Sequence, residues 1–245
     1  MTIQQGSRTL IGILAACVLS LPSAQAAQLG HYVGGFFGAT EGQGSMATYD
    51  AFTRDVLYGL VDFTPASHVA SFDPEDQGYA ALVGYRVHRN FAIEGMFGHF
   101  GEVKYNASAD GTTIVLAPDG SIETLPFSVD TEVSSKLTGI GLYALGIWPI
   151  NPRWEVYGRA GLQYSTVHTK ANIVRTGGTD RRFPRAEAGI ARDAAVDLAA
   201  GVGMALSLAE IYGVRVEYLR VFDAGSDIVA KGDSDILSIG FIVAF

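Results

Sequence analysis

Residues 235–245 read Asp235-Ile-Leu-Ser-Ile-Gly-Phe-Ile-Val-Ala-Phe245, with Leu237, Ile239, Phe241, Val243 and Phe245 at every second position. Between them fall Ser238, Gly240, Ile242 and Ala244, mostly small. A period of two marks a strand with two unlike faces. One face suits lipid and the other a cramped interior. An apolar strand with no polar tail is unusual at the end of a soluble domain, where termini are generally loose. It is expected of a strand that closes a transmembrane barrel. The last strand of a soluble sandwich would share the alternation, so the rest of the chain has to decide.

Charged residues make up 17% and hydrophobic residues 48% of the 245 positions, with 30 Gly and 8 Pro, which is not a disordered composition. Residues 1–26 read as a signal peptide. Arg8 is their single charge, an apolar run follows, and Pro22-Ser-Ala-Gln-Ala26 ends in a small-residue cleavage site. The run is too short to span a bilayer as a helix. Leu14-Ala-Ala-Cys17 offers a competing lipoprotein reading, against which the apolar run continues past Cys17. Cys17 is the only cysteine, so the 27–245 domain carries no disulfide scaffold and no thiolate metal site. A net charge of −8 argues against nucleic acid as a partner. No later stretch is long and apolar enough for a membrane helix. Export, positive mean hydropathy (+0.22) and no membrane helix are together what a β-barrel satisfies.

Alternation and turn residues predict eight strands, near 31–39, 78–87, 91–100, 136–148, 154–169, 195–206, 212–222 and 235–245. Three connections are short, around Arg89, Asn151 and Ala209; Pro149 and Pro152 cannot continue a ladder. Four are long: 40–77, 102–135, 170–194 and 223–234. The expected fold is therefore all-β, an eight-stranded antiparallel transmembrane up-and-down barrel with short turns at one end and long loops at the other. The fifth strand gives the clearest phase. Glu155, Tyr157, Arg159, Gly161 and Gln163 share one face, and Trp154, Val156, Gly158, Ala160, Leu162 and Tyr164 the other. In the fourth strand the same logic turns Tyr143, Leu145 and Ile147 inward, a placement for which the pattern supplies no reason.

Carried around the barrel, this phase puts Arg86, Glu94, Glu155, Arg159, Arg215 and Glu217 inside as ion pairs. A charge facing lipid at mid-depth costs about 2–4 kcal/mol. Eight strands leave an interior that side chains just fill. The six charges read as a polar plug or, alternatively, as an ion path.

Several segments, taken in order, resemble the OmpA-like (OmpA/OmpX-type porin-family) eight-stranded outer-membrane barrels. They are Tyr32-Val-Gly-Gly-Phe-Phe-Gly38, Gly84-Tyr-Arg-Val87 with Ile93-Glu94, Leu145-Gly-Ile-Trp-Pro-Ile150 with Val156-Tyr-Gly-Arg-Ala-Gly161, Ala199-Ala-Gly-Val202, Val214-Arg-Val-Glu-Tyr218 and Leu237-Ser-Ile-Gly-Phe241. The resemblance implies a place in the bacterial outer membrane, periplasmic turns, extracellular loops, and an inward pair between Glu94 and Arg215. It also implies that Phe241, Val243 and Phe245 form a signal read by the outer-membrane assembly machinery. The chain departs from the family in its long first loop and in lacking room for a peptidoglycan-binding domain.

Function in such a protein is expected in its loops. In the first, Tyr49, Phe52, Val56, Leu57 and Leu60 recur at helical spacing, with Asp50 and Arg54 four apart. The segment reads as an amphipathic lid or as a loop packed on the barrel rim. In the third, Arg175, Arg181, Arg182 and Arg185, with Arg192 and Lys170 nearby, suit lipopolysaccharide phosphates or another polyanion, or form a solvated charged loop. His31, His68, His88, His99 and His168 show no metal spacing, and no cofactor or catalytic set is expected. The reading is a monomeric, non-enzymatic outer-membrane barrel with a structural or surface-recognition (adhesion-type) role. Its expected partners are outer-membrane lipid, lipopolysaccharide and a surface partner met through the loops. The alternatives are a narrow pore for ions or small solutes and an outer-membrane lipid-modifying enzyme.

Overall fold

The computed structural model describes residues 29–42, 44–59, 62–116, 119–177, 186–225 and 231–245. The expected signal peptide lies outside them. Among the described residues the chain forms β1 (Gly30–Gly42), α1 (Met46–Phe52) continued by one π-helical turn (Thr53–Leu57), then β2 (Phe63–Asp73), β3 (Glu75–His88), β4 (Phe91–Leu116), β5 (Ile122–Pro149), β6 (Trp154–Gly177), β7 (Ala186–Ser207), β8 (Tyr212–Gly225) and β9 (Lys231–Ala244). No described helix is long and apolar enough to cross a membrane.

Every neighbouring pair in the ring is antiparallel. β1 pairs with β3 and β9, β3 with β4, and β4 with β5, and the order runs on through β6, β7 and β8 to β9. The ring thus closes with eight strands, and the last stretch of sequence supplies the closing one. Its Leu237, Ile239, Phe241 and Phe245 are exposed, while Ile236, Ser238 and Ile242 are buried. The same alternation runs round the barrel. Val83, Phe97, Leu142, Trp148, Leu162, Leu198 and Val202 are all exposed large apolar side chains. A continuous apolar belt of this kind is not tolerated in water and fits a bilayer.

The structure departs from the sequence reading at the long-strand end. Three of the four expected loops are largely strand. β4, β5 and β6 run 26, 28 and 24 residues, where about 9–11 suffice to cross a bilayer. The first loop also returns as β2, which pairs with β4 from Phe63↔Thr113 to Asp73↔Lys104. β2 and β3 therefore line the same edge of β4 as one strand broken at Pro74. Pro65 sits at a register shift between Pro65 and Ser67 on an edge strand, where proline is tolerated.

The change of neighbour happens at a bulge. The β4–β5 register shifts between His99 and Glu102, and Gly101 there has φ +106°. A Cβ at Gly101 would stand 2.2 Å from Thr40 Oγ1, so position and conformation both require glycine. The bulge also reverses the phase of β4. Ala92, Glu94 and Met96 point inward before it, and Val103, Tyr105, Ala107 and Ala109 after it. β1, β8 and β9 end near the mouth, at 13–14 residues each. Beyond the belt the barrel is thus a partial wall of β2, β4, β5, β6 and the start of β7. β4 alone continues about 50 Å of strand past the bulge at ~3.4 Å per residue.

The wall has its own core. Tyr105, Val129, Val133 and Ile173 on its inner face bury with Tyr49, Leu57 and Tyr58 of the first-loop segment. The helical spacing of that loop is real: Ser45 caps α1 by accepting from Thr48 N at 3.2 Å, and Tyr49 and Leu57 are buried. Val56, placed by spacing on the apolar face, is instead exposed, because the chain widens into a π turn after Phe52 and the extra residue per turn shifts the phase. Leu60 lies outside the described residues.

Candidate functional site

The barrel interior brings the six charges expected there into two groups. Nearer the short turns, Arg86 donates to both carboxylate oxygens of Glu155 at 3.1 and 2.9 Å and to Arg89 O at 2.6 Å. At mid-depth Glu94 lies between two guanidiniums. Arg215 donates to its Oε1, and Arg159 Nη2 stands 3.4 Å from its Oε2. Arg159 also donates to Glu217 at 2.7 Å, and Tyr32 and Tyr157 donate to Glu94 and Glu217 at 2.6 Å each. Arg159 and Glu94 have fully buried side chains. Two acids and two bases balance, and each carboxylate takes a phenol as well. Charges this deep persist only when so compensated.

Tyr143, Leu145 and Ile147, whose inward placement the sequence left unexplained, are the packing around this network. All three are buried. The Arg159 guanidinium lies 4.0 Å from the centre of the Tyr143 ring, a cation–π contact, and Tyr143 OH donates to Gln163 at 2.7 Å. Small residues opposite make the space: a Cβ at Gly84 would meet the Tyr32 ring at 2.1 Å. The barrel is filled with side chains at this depth. Above the network, a cavity of about 50 Å³ between the mouth and Tyr49 has room for a few waters.

A second polar group, which the sequence did not reveal, fastens the helix to the wall. Asp50 of α1 accepts from Arg54 Nε at 2.8 Å and from Tyr105 OH at 2.9 Å, and His68 Nε2 of β2 meets its Oδ1. Tyr58 OH lies 2.9 Å from the other ring nitrogen, Nδ1. With Nε2–H turned to the carboxylate, Nδ1 accepts from Tyr58. Burial disfavours the Asp50 carboxylate, but hydrogen bonds from Tyr105, Arg54 and His68 outweigh it and hold its pKa below the ordinary value. Burial pushes Tyr58 up to about 12. The acid–His–hydroxyl order resembles a hydrolase triad, but the hydroxyl is a buried phenol, 1% exposed, that resists deprotonation. The geometry is that of a latch. Its residues come from three elements, so only the Asp50–Arg54 spacing was visible in sequence. Among the described residues no group of three or more His, Cys, Asp or Glu could hold a metal.

Of the third-loop arginines, Arg181, Arg182 and Arg185 lie outside the described residues, and of Arg175 only the backbone, in β6, is described. Phe241 and Phe245 of the expected assembly signal are exposed on the lipid-facing side, and Val243 is partly so.

An outer membrane protein beta-barrel domain family matches residues 11–245. The chain belongs to that family. It is a bacterial outer-membrane protein, so the short turns are periplasmic and the wall is extracellular. Solved structures similar to it include Neisserial surface protein A (13% identity, 88% of this chain and 97% of that one, TM-score 0.41). The attachment invasion locus protein Ail of Yersinia pestis aligns at 12% identity over 88% and 99%, TM-score 0.39. The outer membrane protein OprG of Pseudomonas aeruginosa aligns at 14% over 91% and 100%, TM-score 0.42. At such identities and scores the likeness carries no argument about what this chain does. No curated protein sequence matches it.

Proposed function

We propose that this protein is a surface-recognition (adhesion-type) protein in which a filled barrel anchors a folded extracellular wall. One contrast carries the reading. The bore is occupied at mid-depth by Glu94, Arg159, Arg215 and Glu217 with three tyrosines, while β4 to β6 continue outside as a sheet with its own hydrophobic core and latched helix. A pore needs an open path and no wall; a recognition protein needs a rigid platform and no path. Phe241, Val243 and Phe245 would serve assembly, and Arg175, Arg181, Arg182 and Arg185, which lie in sequence where β6 leads into β7, would add contacts to polyanions.

The test is surface display in a bacterial host that does not itself adhere. Cells carrying the full chain are compared with cells carrying a variant in which residues 104–134 are replaced by a short turn. A heat-modifiable gel shift shows that both barrels fold. Adhesion to animal-cell or matrix-coated surfaces should appear with the full chain and vanish with the variant. Equal adhesion by both, or none by either, would overturn the reading.

A further inference from the structure

The outer face of β5, β6 and β7 carries three consecutive cross-strand rows of different chemistry. Ile140, Tyr164 and Val196 are register partners, all more than half exposed, at the extracellular edge of the apolar belt. Two residues further out come Thr138, Thr166 and Ala194, and two further again Lys136, His168 and Arg192. Lys170 lies on the same face two residues beyond His168. Below the apolar row the belt is notched. Gly95 faces outward between its register partners Val83 and Leu142, and the resulting groove, about 680 Å³, is lined by Phe97, Ile140, Leu142, Leu162 and Tyr164 among others.

We propose that this face is a binding site for a phosphorylated lipid of the outer leaflet, with an acyl chain in the Gly95 notch and its phosphate on Lys136, His168 and Arg192.

The spacing suits such a ligand. Four residues of strand span about 13 Å, which a tilt of about 40° reduces to roughly 10 Å of height. That carries the basic row from the edge of the hydrocarbon to headgroup level. The charge pattern is equally specific. The whole chain is acidic, at −8, yet three of its four lysines, Lys104, Lys136 and Lys170, sit in the two rows next to the belt. The rows further out hold Glu132, Asp130 and Asp110 instead. Asp73 and Glu102 share the basic rows but lie towards β2 and β4, which leaves the positive cluster over β5–β7. Lys136 stands 3.7 Å from Glu102 in an exposed pair that is easily exchanged for a phosphate. Lys136 and Arg192 flank His168 as its register partners on either side, so the basic groups converge on one point of the face. Belt and basic row are continuous, so the bilayer itself presents the ligand.

The experiment is native mass spectrometry of the refolded full chain in detergent, titrated with diphosphorylated lipid A. The unmodified chain should hold one lipid. The triple variant Lys136→Ala, His168→Ala, Arg192→Ala should bind at least about tenfold more weakly, given about fivefold per cation at a membrane surface. Gly95→Leu fills the notch without clash, since a Cβ there meets Val83 at no less than 3.7 Å, and should weaken binding several-fold with the charges untouched. Dephosphorylated lipid A should bind the unmodified chain as weakly as lipid A binds the triple variant. That arm decides the matter even if a variant does not fold. Equal binding of both lipids would overturn the proposal. So would full competition by inorganic phosphate together with a silent Gly95→Leu, which would indicate a patch for soluble anions.

Discussion

The inside of the barrel and the inside of the wall are lined by the same strands, β4, β5 and β6, yet they are filled in opposite ways. Below the bulge the inner residues are Glu94, Tyr143, Arg159 and Gln163, locked to one another by charge and hydrogen bonds. Above it they are Tyr105, Val129, Val133 and Ile173, covered by a helix that the first loop brings back. The ring explains the difference. Where eight strands close, side chains converge from every direction, and a buried acid can meet two bases and a phenol at once. Where β1, β8 and β9 have ended, the sheet is open on one side. A charge on the sheet itself would have water on one side and few partners on the other, so the sheet takes an apolar face, and the Asp50 carboxylate that does meet it comes from the separate cover. Closure permits a polar core; an open wall requires a hydrophobic one.

The largest expected effect breaks the lower region alone. Glu94→Arg puts a third cation between Arg159 and Arg215 and should destabilise the barrel by about 3–5 kcal/mol, the usual cost of unpairing a buried charge. Urea unfolding in lipid vesicles measures it, and unchanged urea resistance would refute the interior network. Next comes the border. Gly101→Ala forces a Cβ against Thr40 at a positive φ and should cost about 1–3 kcal/mol. The loss should show both in the urea midpoint and in amide protection of β2, because both regions meet there. The smallest effect separates the wall from the barrel. Asp50→Asn or His68→Ala removes latch hydrogen bonds worth about 1 kcal/mol each. Residues 46–57 should lose hydrogen-exchange protection while the barrel unfolds as before.

Acid should act on the same latch. The folded state holds Asp50 below its ordinary pKa, so the latch's contribution is complete above about pH 4. It should fade as pH falls through the lowered value. The protection factors of residues 46–57, taken relative to intrinsic exchange at each pH, should therefore fall below about pH 4. A helix whose protection is independent of pH would show that Asp50 does not fasten it.

The barrel was legible in sequence because lipid outside and a narrow bore inside impose strict alternation on every strand. Trp154–Tyr164 and the 235–245 stretch show it without ambiguity. The wall was legible in principle and missed in practice. Val103, Tyr105, Ala107 and Ala109 alternate with Lys104, Asn106, Ser108 and Asp110, but strands were ended at the length a bilayer needs. The bulge at Gly101 also reverses the phase, so an alternation carried upward from Glu94 fails there. The helix announced itself through Tyr49, Phe52 and Leu57 because its core-facing spacing is local. The Asp50–His68–Tyr105 latch and the basic row across β5–β7 could not be read, because each depends on register between strands distant in sequence.

The central claim is that the barrel is a filled anchor, and single-channel recording of the refolded chain in a planar lipid bilayer tests it most directly. With insertion verified by the heat-modifiable gel shift, the bilayer should stay silent at all applied voltages. Reproducible conductance steps, altered by substitution of Glu94, Arg159 or Arg215, would contradict the account and make those residues the lining of a path.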